Sequence, residues 1–182
     1  MSRIAKVTME TANNEQSALL DAIKGKLGMV PNFLAVLAQS PAALTSFLGL
    51  HEIAGSGALD TQTRERIAIA LADRNGCQYC LSAHTAIGRK SGLTDADMTA
   101  NRSGGSTDER AAAAVAFALA LSEHKGALTQ AEFNAVRDAG YSDAEIVEIV
   151  VHVGMNLLTN ILAKSTEVDI DFPKVALTAR AA

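Results

Sequence analysis

Three kinds of reactive side chain are spaced to meet between residues 65 and 84. Glu65 is followed twelve positions later by Cys77-Gln78-Tyr79-Cys80, and His84 stands four positions after the second cysteine. On a helix that turns about 100° per residue, Cys77, Cys80 and His84 fall within an arc of roughly 60°. Both cysteines of the chain therefore share a helix face with an imidazole, and a carboxylate lies just upstream. This is equipment for thiol redox chemistry. The thiolate is the reactive form, and at an ordinary pKa near 8.5 only about 3% of a thiol is ionised at pH 7. A helix start just after Gly76 and an imidazole one turn beyond Cys80 both favour the anion. Once oxidised, an attacking thiolate becomes a sulfenic acid. A neighbour one turn away then closes a disulfide and releases water.

The elements that must position these groups can be read from helix punctuation. Asp60 or Thr61 starts the helix carrying Glu65, Asn75-Gly76 breaks it, and the cysteine helix runs to Gly92. If Asn75-Gly76 reverses the chain, Glu65 lies roughly 15 Å below the turn on one arm and His84 roughly 12 Å below it on the other. Ala68 and Ala72 share the face of Glu65, so the two arms can approach closely. The hairpin of residues 60–92 thus predicts a relay from Glu65 to His84 to a thiol.

Around it, strand signals are nearly absent. Asn13 or Asn14 caps a helix ending near Gly28, Pro31 opens a short one, and Ser40-Pro41 opens another that stops around Gly55. Capping-box patterns follow at Thr94 with Asp97, Thr129 with Glu132, and Ser142 with Glu145. A helix is expected over Thr107–His124 and a long one from Ser142 to Lys164, with an extended tail over 166–182. Phe47–Arg64 echoes Phe117–Glu132, which reads as a duplicated helical hairpin with one chemically active half.

Over its 182 residues the chain is 48% hydrophobic but 4% aromatic. A core of Ala, Leu, Ile and Val suits closely packed helices. The expected architecture is a single all-α domain over 1–182, a helical bundle built from hairpins. A net charge of −4 without a basic cluster argues against nucleic acid or an anionic membrane as partner. The longest apolar run, Ala111–Leu121, is too short to span a bilayer, and residues 1–16 lack the apolar core of a signal peptide. The expected location is cytoplasmic, where a close cysteine pair is catalytic or metal-binding rather than a structural disulfide.

The residues Glu65-Arg66, Asn75-Gly76-Cys77, Tyr79-Cys80 and His84 resemble the alkylhydroperoxidase AhpD and carboxymuconolactone decarboxylase-like family, in its peroxidase-related branch. Val30-Pro31-Asn32-Phe33 and Asp169-Ile170-Asp171-Phe172-Pro173 extend the resemblance over most of the chain. It implies an AhpD-like all-helical fold, homo-oligomers (trimers or hexamers) and reduction of hydroperoxides by a thiol or dithiol electron donor. It also implies that Cys80 attacks the peroxide, that Cys77 resolves it, and that Glu65 and His84 relay protons, with no metal or flavin. Well-studied members carry His at the position of Tyr79, which a helical projection places away from the Cys77–His84 arc.

Other readings stand beside this one. Cys77, Cys80 and His84 could hold zinc in a scaffold module with a fourth ligand from elsewhere, or the cysteines could be inert packing. A redox-silent lyase of the carboxymuconolactone decarboxylase type is the enzymatic alternative. Glu148, His152, Asn156, Asn160 and Lys164 recur every four residues on an apolar helix, and the pattern predicts a solvated or subunit-facing edge. His51 with Glu52 reads as a surface pair, and His124 as a cation at a helix end.

Overall fold

The computed structural model describes residues 2–178. Among them the chain forms helices only: α1 (Asn14–Leu27), α2 (Asn32–Leu37), α3 (Pro41–Gly55), α4 (Thr61–Arg74), α5 (Gln78–Lys90), α6 (Asp95–Arg102), α7 (Glu109–Glu123), α8 (Gln130–Asp138) and α9 (Asp143–Ser165). Their starts follow the expected side-chain chemistry. Asn13, Ser40, Asp60, Thr94, Asp108, Thr129 and Ser142 each accept a hydrogen bond from an otherwise unpaired N–H of the first turn. The three predicted capping boxes form, and a fourth joins Asn13 to Gln16. α7 begins two residues later than the pattern suggested. Asp108 takes the capping position, and the Thr107 hydroxyl is engaged instead by the Asp97 carboxylate.

α4 is the central element and packs against α5, α6, α7 and α9. Its stretch Arg66–Asp73 is buried on every side, as befits a helix whose apolar residues do not confine themselves to one stripe. Ile69 and Ala72 face a cluster containing Leu20, Phe33, Leu44, Leu81 and both cysteines. Ile67, Ala70 and Leu71 face a second cluster with Val115, Phe117 and Ile149. The buried Arg66 guanidinium pairs with Asp97 at 3.2 Å, tying α4 to α6. The echo of the hairpin at residues 117–132 produces the same helix order but different packing. α8 has nine residues, of which only Val136 is buried, and it lies at the edge.

Two expectations are corrected. The polar stripe of α9 is no solvated edge: His152, Asn156 and Asn160 are 4%, 4% and 2% exposed, because α9 turns this stripe toward the core while it packs on α3, α4, α5 and α7. Glu148 at its upper end receives the Ala58 and Leu59 N–H groups at 2.9 and 2.7 Å, holding the loop that leads into α4. Removing that acceptor with Glu148→Ala is expected to cost about 1.5 kcal/mol of stability, measurable as a lowered urea midpoint at unchanged slope. Nor do His51 and Glu52 pair. Glu52 lies 3.6 Å from Lys26, and the His51 ring lies 6.0 Å from that of Phe47.

By length and composition α9 is the one described helix that could cross a membrane, yet its His152, Asn156 and Asn160 side chains are turned into the fold and buried. The extended tail forms over its described part, and residues 179–182 lie outside the described residues. Its backbone bonds to Gln78 and Ser82, and its Thr178 bonds to Asp73.

Candidate active site

The site is built on the reversal between α4 and α5. Asn75 ends α4, and Gly76 takes a left-handed φ of 65°, which a side chain would oppose. Cys77 then donates its N–H to Ala72 O at 2.8 Å and serves as the N-cap of α5. From the other side α9 clamps the turn. Lys164 Nζ donates to Asn75 O at 2.6 Å, and Asn75 Nδ2 donates to Asn160 Oδ1 at 2.8 Å.

The two arms run back antiparallel and bring Glu65 and His84 together, with His84 Nδ1 2.9 Å from Glu65 Oε2. Near-complete burial of Ala68 and Ala72 permits this approach. A carboxylate at Nδ1 fixes the ring and leaves Nε2 to exchange protons. Burial alone would push the His84 pKa down, but the charge and hydrogen bond of Glu65, assisted by Cys77, outweigh it, and the net direction is up. Both side chains keep a limited exposed edge, 23% for His84 and 13% for Glu65.

The cysteines differ sharply. Cys77 Sγ accepts the Cys80 N–H at 3.3 Å. The Cys80 thiol is the largest influence lowering the Cys77 pKa. That backbone N–H and the positive charges of His84 and Lys164 act the same way, against burial. Cys80 is pushed up by its bond to Cys77, by burial and by the Cys77 charge, with Asn160 and Thr159 partly opposing. Of the two thiols, Cys77 is therefore the more acidic and Cys80 the less acidic. The order of groups is Glu65, His84, Cys77, Cys80. Both cysteines are free and nearly buried, 1% and 4% exposed.

Tyr79 points elsewhere. Its hydroxyl accepts the Phe33 N–H at 3.2 Å and faces Asp171, whose carboxylate accepts the Asn32 N–H at 2.6 Å. Phe172 meets the Tyr79 ring edge-on at 5.8 Å. The Val30–Phe33 and Asp169–Pro173 motifs thus dock on each other across Tyr79, and burial first, then Asp171, drives the phenol pKa up.

The carboxymuconolactone decarboxylase family model matches residues 38–123, which span α3 to α7 and include all four site residues. A solved structure from Ralstonia eutropha, described as an alkylhydroperoxidase AhpD core and uncharacterized peroxidase-related protein, is 24% identical. It superposes with a TM-score of 0.84 over 93% of this chain and 92% of that one. An uncharacterized peroxidase-related protein from Silicibacter is 25% identical with a TM-score of 0.77, covering 96% and 92% of the two chains. The fold is AhpD-like, and its α3–α7 portion is similar to the carboxymuconolactone decarboxylase family. The AhpD-like fold also includes the debrominase Bmp8. Its cysteine-to-alanine variant bound to 2,3,4-tribromopyrrole is 19% identical, with a TM-score of 0.77 over 94% of this chain and 92% of that one. No curated protein matches the chain.

Sequence reasoning on this AhpD-like chain missed the contribution of α9. Asn160, Thr159 and Lys164 all reach the hairpin; the polar stripe on an otherwise apolar helix was the only signal for Asn160 and Lys164, and Thr159 left none.

Proposed function

We propose that the protein is a thiol-dependent peroxidase that reduces small or organic hydroperoxides through the Cys77–Cys80 pair. One observation carries this reading: the Glu65 carboxylate lies 2.9 Å from His84 Nδ1, a pairing that favours positive charge on the ring and, through it, an acidic thiol at Cys77. Cys77 is then the base that takes the Cys80 proton as Cys80 attacks the distal oxygen of the hydroperoxide. The O–O bond breaks, Cys80 becomes a sulfenic acid, and the departing alkoxide takes a proton supplied through His84 to leave as alcohol. Cys77 next gives up the proton it took from Cys80 to the departing oxygen as its sulfur attacks Cys80, so the S–O bond breaks, water leaves and the disulfide closes. A dithiol donor restores both thiols and leaves as its own disulfide.

Burial of both sulfurs favours a small oxidant entering beside the exposed edge of His84, and it requires the site to open before a larger donor can reach the disulfide. Leu50, Ile53, Val147, Val150, Val151, Leu158 and Ile161 form an exposed apolar face on α3 and α9. That face supports assembly into a homo-oligomer.

The test is stoichiometric. Reduced protein treated with one equivalent of an alkyl hydroperoxide is expected to lose two thiols per chain and yield one alcohol and one intramolecular disulfide. An unchanged thiol titre would refute the reading, and activity that survives alkylation of both cysteines would favour a lyase.

A further inference from the structure

Asn160 is 2% exposed on α9, and its two amide atoms are treated differently. The oxygen is held by Asn75 Nδ2 at 2.8 Å, which fixes the plane of the group, and Asn75 is itself fixed through its carbonyl by Lys164. The nitrogen is buried with no hydrogen-bond partner in the resting structure, and the side chain is near enough to Cys80 to favour its anion. A buried N–H group without a good partner is destabilising, and a neutral thiol is a weak acceptor. The same donor becomes well satisfied once Cys80 carries negative charge, as a thiolate or as the oxygen of a sulfenate. A donor oriented in advance toward developing charge needs no reorganisation when that charge appears.

We propose that Asn160, oriented by Asn75, is the positioning residue that makes Cys80 the sulfur to which oxygen is transferred. The need for such a group follows from the pair itself. Cys77 holds the N-cap position and takes the Cys80 N–H, so a group beyond the cysteines is needed to favour charge at Cys80 during attack. Thr159 stands on the same side of the sulfur, but its hydroxyl already donates to Asn156 O at 2.9 Å, which leaves the Asn160 amide as the uncommitted donor. The inference rests on the peroxidase reading for its catalytic consequence. Its electrostatic content, stabilisation of a Cys80 anion, does not depend on peroxide turnover.

The experiment uses that separation. In a Cys77→Ser background Cys80 is the sole thiol, and its titration by ultraviolet thiolate absorbance reads its pKa directly. Adding Asn160→Leu is expected to raise that pKa by about one unit, tenfold less thiolate at a given pH. In the otherwise native chain, Asn160→Leu is expected to slow peroxide-driven disulfide formation by at least the same factor. Asn160→Asp, which keeps the shape and the acceptor for Asn75, supplies a signature that a packing role would not. Its rate should fall as pH rises through the ionisation of the new carboxyl, whereas the rate of the native protein rises as thiolate forms. An unchanged Cys80 pKa in Cys77→Ser with Asn160→Leu, or an Asn160→Asp pH profile parallel to the native one, overturns the proposal. A native protein that forms no disulfide with peroxide would instead overturn the peroxidase reading and leave the pKa comparison standing.

Discussion

Replacing His84 with phenylalanine is expected to slow peroxide reduction near pH 7 by about 10²-fold, the usual scale for loss of a positioned acid–base group. The effect has two parts. The alkoxide loses its proton donor, and Cys77 loses the largest cationic influence from outside the cysteine pair that lowers its pKa. The remaining activity should therefore recover partly at higher pH, where Cys77 ionises unaided, and the pH–rate curve should move to the alkaline side. A stopped-flow pH series checks both. Glu65→Gln is expected to move the curve in the same direction by a smaller amount, since it keeps the ring in place and removes the charge.

A stability consequence has a defined sign. The folded His84 pKa lies above its unfolded value near 6.5. The pairing with Glu65 therefore adds stability that is complete below about pH 6.5 and is lost as pH rises through the folded pKa. The gap in urea midpoint between native protein and Glu65→Gln should be widest on the acid side and narrow above it.

Cys80→Ser is expected to abolish peroxide turnover, because Cys77 alone cannot close the disulfide that a donor must reduce. Cys77→Ser should behave differently. Cys80 can still react once, more slowly without its neighbouring base, and the sulfenic acid then persists because no resolving thiol remains. Trapping with a sulfenate-selective reagent and mass mapping to Cys80 distinguishes the two variants. Label at residue 77 in Cys80→Ser, with the native rate retained, would reverse the assignment of attacking and resolving sulfurs.

Much of this was legible in the sequence because local rules governed it. The capping residues named the helix starts, Asn75-Gly76 named the reversal, and residue counting along two arms put Glu65 opposite His84. The resemblance added the tail, whose Asp171 and Phe172 close on Tyr79 and Asn32. What could not be read were the contacts between distant elements. A stripe of Glu148, His152, Asn156, Asn160 and Lys164 has the spacing of a wetted helix edge, and only the packing of α9 on the hairpin shows that its middle faces inward. The same holds for the cysteines. Their shared arc was visible, but the opposite pKa directions of Cys77 and Cys80 depend on which sulfur takes the N-cap and which lies against α9.

The central claim is that the hairpin keeps one sulfur anionic through a carboxylate-supported imidazole. It is tested most directly by following ultraviolet thiolate absorbance of the reduced protein against pH, in the native chain and in Glu65→Gln. The account predicts one thiolate step in the native chain below the ordinary cysteine value of about 8.5, displaced upward in the variant. Two steps at or above that value, unmoved by the substitution, would contradict it.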